Sequence, residues 1–371
     1  MSRLLKYSFI LTFIFLVLFQ SQDSFAGMGD SQNLVSPELL QFANLKVVWE
    51  SALPLVKNET MEEMFILGDQ IYLVSDRNFT MALDRQTGKK IFYRSLARDG
   101  LKAEKFVDIN DQIIYVVGNK YIELEAKSGV EIKTTEVGYG IAAPVVRNNS
   151  YFYVSGIDDR LHVYNDKNRV EIFKVAGNDD SLITTIAAGE DYVVFGTSKG
   201  NVYSMLPDAP KSLWEFNAAD GLVGQIVRDS NSLFFSSKDM NVYRVDVPTI
   251  YTKSFVWKTL VPGMIQKPPR VTDDMVYQSS FNNKMSISCI DRDSGRIIWE
   301  VPGGIELLAQ ARGRAYIITE DGKLVVMHNA SAKQVFSVNF AGVTRQAYNT
   351  IDSKIYIGDK SGRVACLEPL N

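Results

Sequence analysis

Histidine and cysteine are almost missing from this chain, with two of each in 371 residues. Two isolated histidines, His162 and His328, cannot build a multi-histidine metal site. Basic charge is not in excess either: 40 Lys and Arg stand against 43 Asp and Glu, a formal charge of −3, and no basic run stands out. Nucleic-acid binding, which needs clustered Lys and Arg, is not expected. No Walker A loop or C-x-x-C-H motif occurs, so the common phosphate and haem signatures are absent.

Long apolar runs are equally scarce. The one that exists lies at the start, where Arg3 and Lys6 precede a stretch from Phe9 to Phe19 that is apolar except for Thr12. It is too short for a membrane-spanning helix, which needs about 20 apolar residues. Ser24-Phe-Ala26 follows as a small-x-small cleavage signal. Residues 1–26 therefore read as a signal peptide, and the rest as exported, periplasmic or secreted, without a transmembrane span. Removing that leader takes away Arg3, Lys6 and Asp23 and leaves 38 basic against 42 acidic residues. Residues 27–44 are polar and poorly patterned and are expected to form a flexible lead-in.

What the chain does have is a lattice of large side chains. Trp49, Phe92, Lys133, Phe173, Trp214, Trp257, Trp299 and Phe336 follow one another at gaps of 43, 41, 40, 41, 43, 42 and 37 residues, and all four tryptophans lie on it. A period near 40 with short strands between turn signals is the signature of propeller blades of four strands. The clearest copy places β-rich runs at Met275–Ser280 and Met285–Ile290. The turn Asp291-Arg-Asp-Ser-Gly295 and a last strand ending at Val301 complete it. The same turn recurs as Asp84-Arg-Gln-Thr-Gly88 and Glu125-Ala-Lys-Ser-Gly129. Gly at its end suits a positive φ, and the leading acid can bond backbone amides within the turn.

Aligning the copies on that turn gives an independent check. The residue before it is Leu83, Leu124, Tyr164, Met205, Val245, Ile290, Met327 or Leu367, apolar each time. The opposite face of the same strand carries Tyr121, Leu161, Val202, Val242, Ile287, Leu324 and Val364, with Thr80 in the first copy. A strand apolar on both faces is covered on both sides, as blades packed around an axis would be. Each fully buried Leu or Ile contributes roughly 1.5–3 kcal/mol, too little per blade to offset the ordering entropy of about 40 residues. No blade should fold alone. The eighth copy ends without an outer strand, and Leu45-Lys-Val-Val-Trp-Glu50 is an outer strand with no blade before it. Pairing the two closes the ring and removes a sheet edge. The expected fold is thus all-β, an eight-bladed propeller of four-stranded antiparallel blades over residues 45–371.

The repeat also accounts for most residues that could pass for chemistry. Cys289 and Cys366 occupy equivalent positions with a whole blade between them, too far for a disulfide that needs Cα atoms within about 7 Å; buried free thiols are expected. His162 falls in the strand register of Tyr203 and Tyr243 and reads as interblade packing, and His328 as a solvated turn residue. Asp291 and Asp293 resemble the start of a calcium loop, but the downstream bidentate Glu is missing. The pairs Asp158-Asp159, Asp179-Asp180 and Asp273-Asp274 fall in expected turns. Sequons begin at Asn58, Asn78, Asn148 and Asn329. No catalytic, cofactor-binding or metal residue is assigned.

The units Cys289-Ile-Asp-Arg-Asp-Ser-Gly-Arg-Ile-Ile-Trp299 and Ala82-Leu-Asp-Arg-Gln-Thr-Gly-Lys-Lys-Ile-Phe92 closely resemble the repeat of the quinoprotein-type (PQQ-like) propellers. Within that group the chain is similar to the accessory scaffolds of outer-membrane β-barrel assembly. That resemblance implies a monomeric, non-enzymatic platform for protein partners, with no cofactor. Those scaffolds are lipid-anchored through a cysteine at the cleavage site, and this leader has none, so that anchor is not expected. A general exported interaction propeller and a quinone-dependent oxidoreductase remain as alternatives, although Cys289 and Cys366 do not form the adjacent pair of the quinone site. Partners would meet the axial loops, such as Gly177–Ser181 and Leu260–Pro269. In the second, Met264 and Ile265, between Pro262 and Pro268, form an apolar tip suited either to a partner or to burial against the next blade.

Overall fold

In the computed structural model, which describes residues 33–98, 101–109, 111–178 and 180–370, the repeats become eight antiparallel sheets. Seven are continuous in sequence; in blade one, for example, Met61–Leu67, Gln70–Ser75, Phe79–Asp84 and Lys90–Ser95 pair in that order. The eighth is composite. Arg345–Ala347, Ile355–Gly358 and Arg363–Pro369 are completed by Leu45–Ala52, which pairs with the last of them from Leu45↔Pro369 to Ala52↔Arg363. Trp49 lies opposite Cys366, so the ring closes as the sequence indicates.

The apolar residues do not gather in one centre. They form eight clusters, each straddling two neighbouring blades. Blade one shares Met61, Leu73 and Leu83 with Tyr356, Val364 and Cys366 of blade eight, which is the closing seam. The eight pre-turn residues from Leu83 to Leu367 are all buried, as are Thr80, Tyr121 and their equivalents on the other face. The strand that carries them is the third of four counted from the axis, not an inner one. That position accounts for its two covered faces, since strands inside and outside it extend the sheet while adjacent blades lie above and below.

Each lattice residue sits on the outermost strand and ends a run of regular pairing. Ala82↔Phe92, Glu123↔Lys133, Arg244↔Trp257 and Cys289↔Trp299 are each followed by a register shift, and the other four copies repeat it. A bulge increases local twist, and here it turns the aromatic ring toward the next blade. The ring lands on that blade's turn glycine. A Cβ on Gly88 (φ +68°) would lie 2.5 Å from the Trp49 ring, and one on Gly295 (φ +72°) 2.6 Å from Trp257. Trp49 Nε1 donates to the Arg85 carbonyl at 3.1 Å, and Trp257 Nε1 to that of Arg292 at 2.9 Å. Opposite Trp214 and Trp299 the turn has degenerated, and there the indole N–H has no partner among the described residues.

Residues 34–44 are not the flexible lead-in that their polarity suggested. Pro37–Phe42 is a helix, started by Ser36, whose hydroxyl accepts from Leu39 N at 3.4 Å, and by proline in its first turn. Leu34, Val35, Leu40 and Ala43 are buried with Phe340 and Leu367 in the cluster between blades seven and eight. Residues 1–32, including the expected leader, lie outside the described residues. Among the described residues no helix is long and apolar enough to cross a membrane.

Candidate interaction face

The antiparallel order of each blade sends its loops to the two axial ends alternately. Connections between the second and third strands, and between one blade and the next, emerge together at one end. There, between blades five and six, Met240, Leu260, Val261, Pro262, Gly263, Met264, Phe281, Asn282 and Asn283 line an open cleft of about 540 Å³. Leu260 is 61% exposed, Met264 55%, Met240 38% and Phe281 36%. Four large apolar side chains at one loop cluster form a contiguous patch, unlike the scattered single ones normal on a surface.

The two residues of the expected apolar tip part company. Met264–Ile265 is a short strand paired with Phe281 and Ser280, not a loop tip. Strand alternation sends Met264 outward and Ile265 inward, where it joins the cluster between blades five and six. Phe281 and Met240 were not foreseen. Phe281 is placed by the length of its hairpin: Met275–Asn282 and Lys284–Asp291 have 8 residues each, against 6 each for Arg314–Thr319 and Lys323–His328 in the next blade. Part of that extra length replaces turn residues, so the hairpin Met275–Asp291 gains one residue per side over Arg314–His328, and its tip rises by about 3 Å. The other expected loop is pinned: Asn178 N donates to Tyr203 Oη at 3.0 Å and Asn178 Nδ2 to Glu215 at 2.7 Å, while Ser181 is buried. Asp179 lies outside the described residues.

At the opposite end, a cleft of about 360 Å³ is lined by Asp69, Asp84, Asp108, Asp111, Lys127 and Ile351. Burial, and then the like charges of Asp111 and Asp69, push the Asp108 carboxyl above the ordinary aspartate range.

The other residues singled out in the sequence are held by the fold itself. His162 is buried and packs between blades, with its ring centroid 4.0 Å from that of Tyr139 in the loop entering blade three. It is also held at both nitrogens: Nδ1 lies 2.7 Å from Glu171, and Nε2 3.1 Å from Asp158. His328 does in its turn what Asp291 does elsewhere. Ser331 N donates to His328 Nδ1 at 3.2 Å, as Ser294 N donates to Asp291 Oδ1 at 2.8 Å. The hydrogen bond from Ser294 keeps the Asp291 carboxyl below its ordinary range. Asp293 pairs with Arg244 at 3.1 Å, and Asp274 accepts from Gln310 at 2.6 Å. Among the described residues no group of three or more His, Cys, Asp or Glu is arranged to hold a metal ion. Cys289 and Cys366 are free and buried, each across from a lattice tryptophan. Burial pushes the Cys366 thiol up to about 12, far from the thiolate that redox chemistry requires.

These features define an eight-bladed propeller of the quinoprotein-like class with an apolar cleft at one axial end. The profile of the family described as outer membrane protein assembly factor BamB matches residues 46–301, and the chain belongs to that family. The crystal structure of BamB from Moraxella catarrhalis is similar with a TM-score of 0.64 at 15% identity, covering 87% of this chain and 97% of that one. A computationally designed protein, Ika8, is similar with a TM-score of 0.64 at 12% identity, covering 85% of this chain and 98% of that one. At such identities the likeness concerns the fold alone. No curated protein sequence matches the chain.

Proposed function

We propose that the protein is an exported, non-enzymatic scaffold of the BamB type. It acts as a monomer in the periplasm and holds protein partners during assembly of outer-membrane β-barrel proteins. The observation that carries this reading is the family match, which runs from the ring-closing strand through blade six. The expected leader supports export, and the exposed apolar loops between blades five and six support a role in protein contact. The acids and histidines that could pass for chemical groups are engaged in turns and seams.

Affinity capture from envelope extracts, read by mass spectrometry, tests the role. Recovery of barrel-assembly components is expected, and a capture without any of them would refute the specific assignment. A second reading is an exported propeller serving another envelope partner, which the exposed apolar loops between blades five and six suit equally. The same capture, returning a different and reproducible partner, would support it.

A further inference from the structure

The cleft between blades five and six has walls from three independent pieces of chain. They are the turn at Met240, the interblade link Leu260–Gly263, and the raised hairpin tip Phe281–Asn283. The contact made by its floor leaves no slack: a Cβ on Gly263 would lie 2.5 Å from the Phe281 carbonyl oxygen. The walls are apolar, and two of the four exposed side chains are methionines, whose unbranched thioethers adapt to varied apolar partners.

Three lysines without acidic partners among the described residues stand beside this cleft. Lys238 and Lys284 flank the lining residues in sequence, Lys258 lies two residues before Leu260, and all three are exposed. None of the three has an ion pair within 4.0 Å among the described residues. The nearby acids are already engaged. Asp239 accepts from Tyr243 Oη and from Asn241 N, and Asp220 accepts from Gly221 N at 2.6 Å. An occupant therefore gains by bringing apolar side chains to the floor and carboxylates to the rim.

The geometry points to this cleft as the docking site for an amphipathic segment of a partner protein, with large apolar anchors flanked by Asp or Glu. The inference rests on the scaffold reading for its biological setting, but not for its chemistry. A lipid surface fits less well, because the cleft is concave and three lysines contribute only about 1 kcal/mol each at an anionic membrane. A small molecule fits less well again, since no buried polar side chain lines the cleft to orient one.

The test uses the purified protein and two fluorescein-labelled amphipathic helical peptides with the same Leu and Phe face, one flanked by Glu and the other by Lys. Anisotropy should show the Glu-flanked peptide binding about tenfold tighter, and the difference should shrink with added salt. Met264→Asp should weaken binding of both peptides about tenfold. The pair Lys238→Glu and Lys284→Glu should reverse the order of preference. All three side chains are exposed, so unchanged melting curves will show that the fold is intact. Equal affinity for the two peptides, no effect of Met264→Asp, or binding to anionic phosphatidylglycerol vesicles but to neither peptide would overturn the inference. Envelope capture with the Met264→Asp protein separates the two claims. If it recovers the same barrel-assembly components as the unaltered protein, the cleft inference falls and the scaffold role stands. If the unaltered protein recovers none while the peptides are still discriminated, the scaffold role falls and the cleft stands.

Discussion

Replacing Trp49 by alanine removes the residue that fastens the closing strand to blade one. The indole is 9% exposed, rests against Gly88, and donates to the Arg85 carbonyl at 3.1 Å. Truncating a buried Trp costs about 3–5 kcal/mol. The Arg85 carbonyl is not left wholly bare, since Tyr356 Oη also donates to it at 3.4 Å, so the cavity should dominate the loss. Gly88→Ala supplies the second arm. Its φ of +68° costs any L residue about 1–2 kcal/mol, and the new Cβ must also displace the indole. With alanine at position 49 that clash disappears, so the second substitution should cost only the backbone part. The two changes should therefore couple, with the double variant less destabilised than the sum by about 1 kcal/mol or more. Urea titration followed by circular dichroism measures each corner of the cycle. Lys133→Ala is the control, because the turn that follows it has Arg169 in the glycine position, and its effect should stay within about 0.5 kcal/mol. Strict additivity, or a Trp49→Ala shift no larger than that of Lys133→Ala, would refute the seam argument.

Three further outcomes follow from named residues. Leu124→Ala, at a fully buried pre-turn position, should cost about 2–5 kcal/mol in the same titration. Glu123 is buried, and Arg169 donates to both its oxygens at 2.7 and 2.9 Å; Arg169→Met should therefore cost about 3–5 kcal/mol, and adding Glu123→Gln should recover most of it. Asp108 has its carboxyl pKa raised in the fold. A raised value favours the protonated form, so its contribution is fully present below the ordinary pKa and is lost as pH rises through the folded one. Asp108→Asn should then raise the melting temperature at neutral pH, with the gain fading below about pH 4; a gain that persists in acid would show that charge is not the cause.

The ring was legible because its determinants are large, rare and periodic. Tryptophan at a spacing near 40, together with apolar pairs on both faces of one strand, fits few folds besides stacked blades, and the orphan strand at Leu45–Glu50 reveals the closure. The position of the doubly covered strand within the blade was less clear, since periodicity tells which faces are covered but not how many strands lie inside. The helix Pro37–Phe42 was missed because its signal is a single Ser-Pro start and a few apolar residues, against a polar background. At the cleft, sequence marked Met264 and Ile265 together, and only strand pairing with Phe281 and Ser280 divides them. Met240 joins through a turn from another blade, and no local pattern brings it there. His162 reads correctly as packing, but its carboxylate partners come from positions 158 and 171, and nothing in the spacing matches them to it.

Blade eight joins residues 45–52 to residues 345–369, and this seam sets the order of events in the life of the molecule. While the polypeptide is being synthesised, its earliest strand has nowhere to go and must wait for a partner made some 300 residues later. Until then both flanks of the growing array stay open, and their unpaired backbone groups can recruit foreign strands. Completion is therefore a single late event. A chaperone that shields residues 45–52 in the interval would protect the whole molecule.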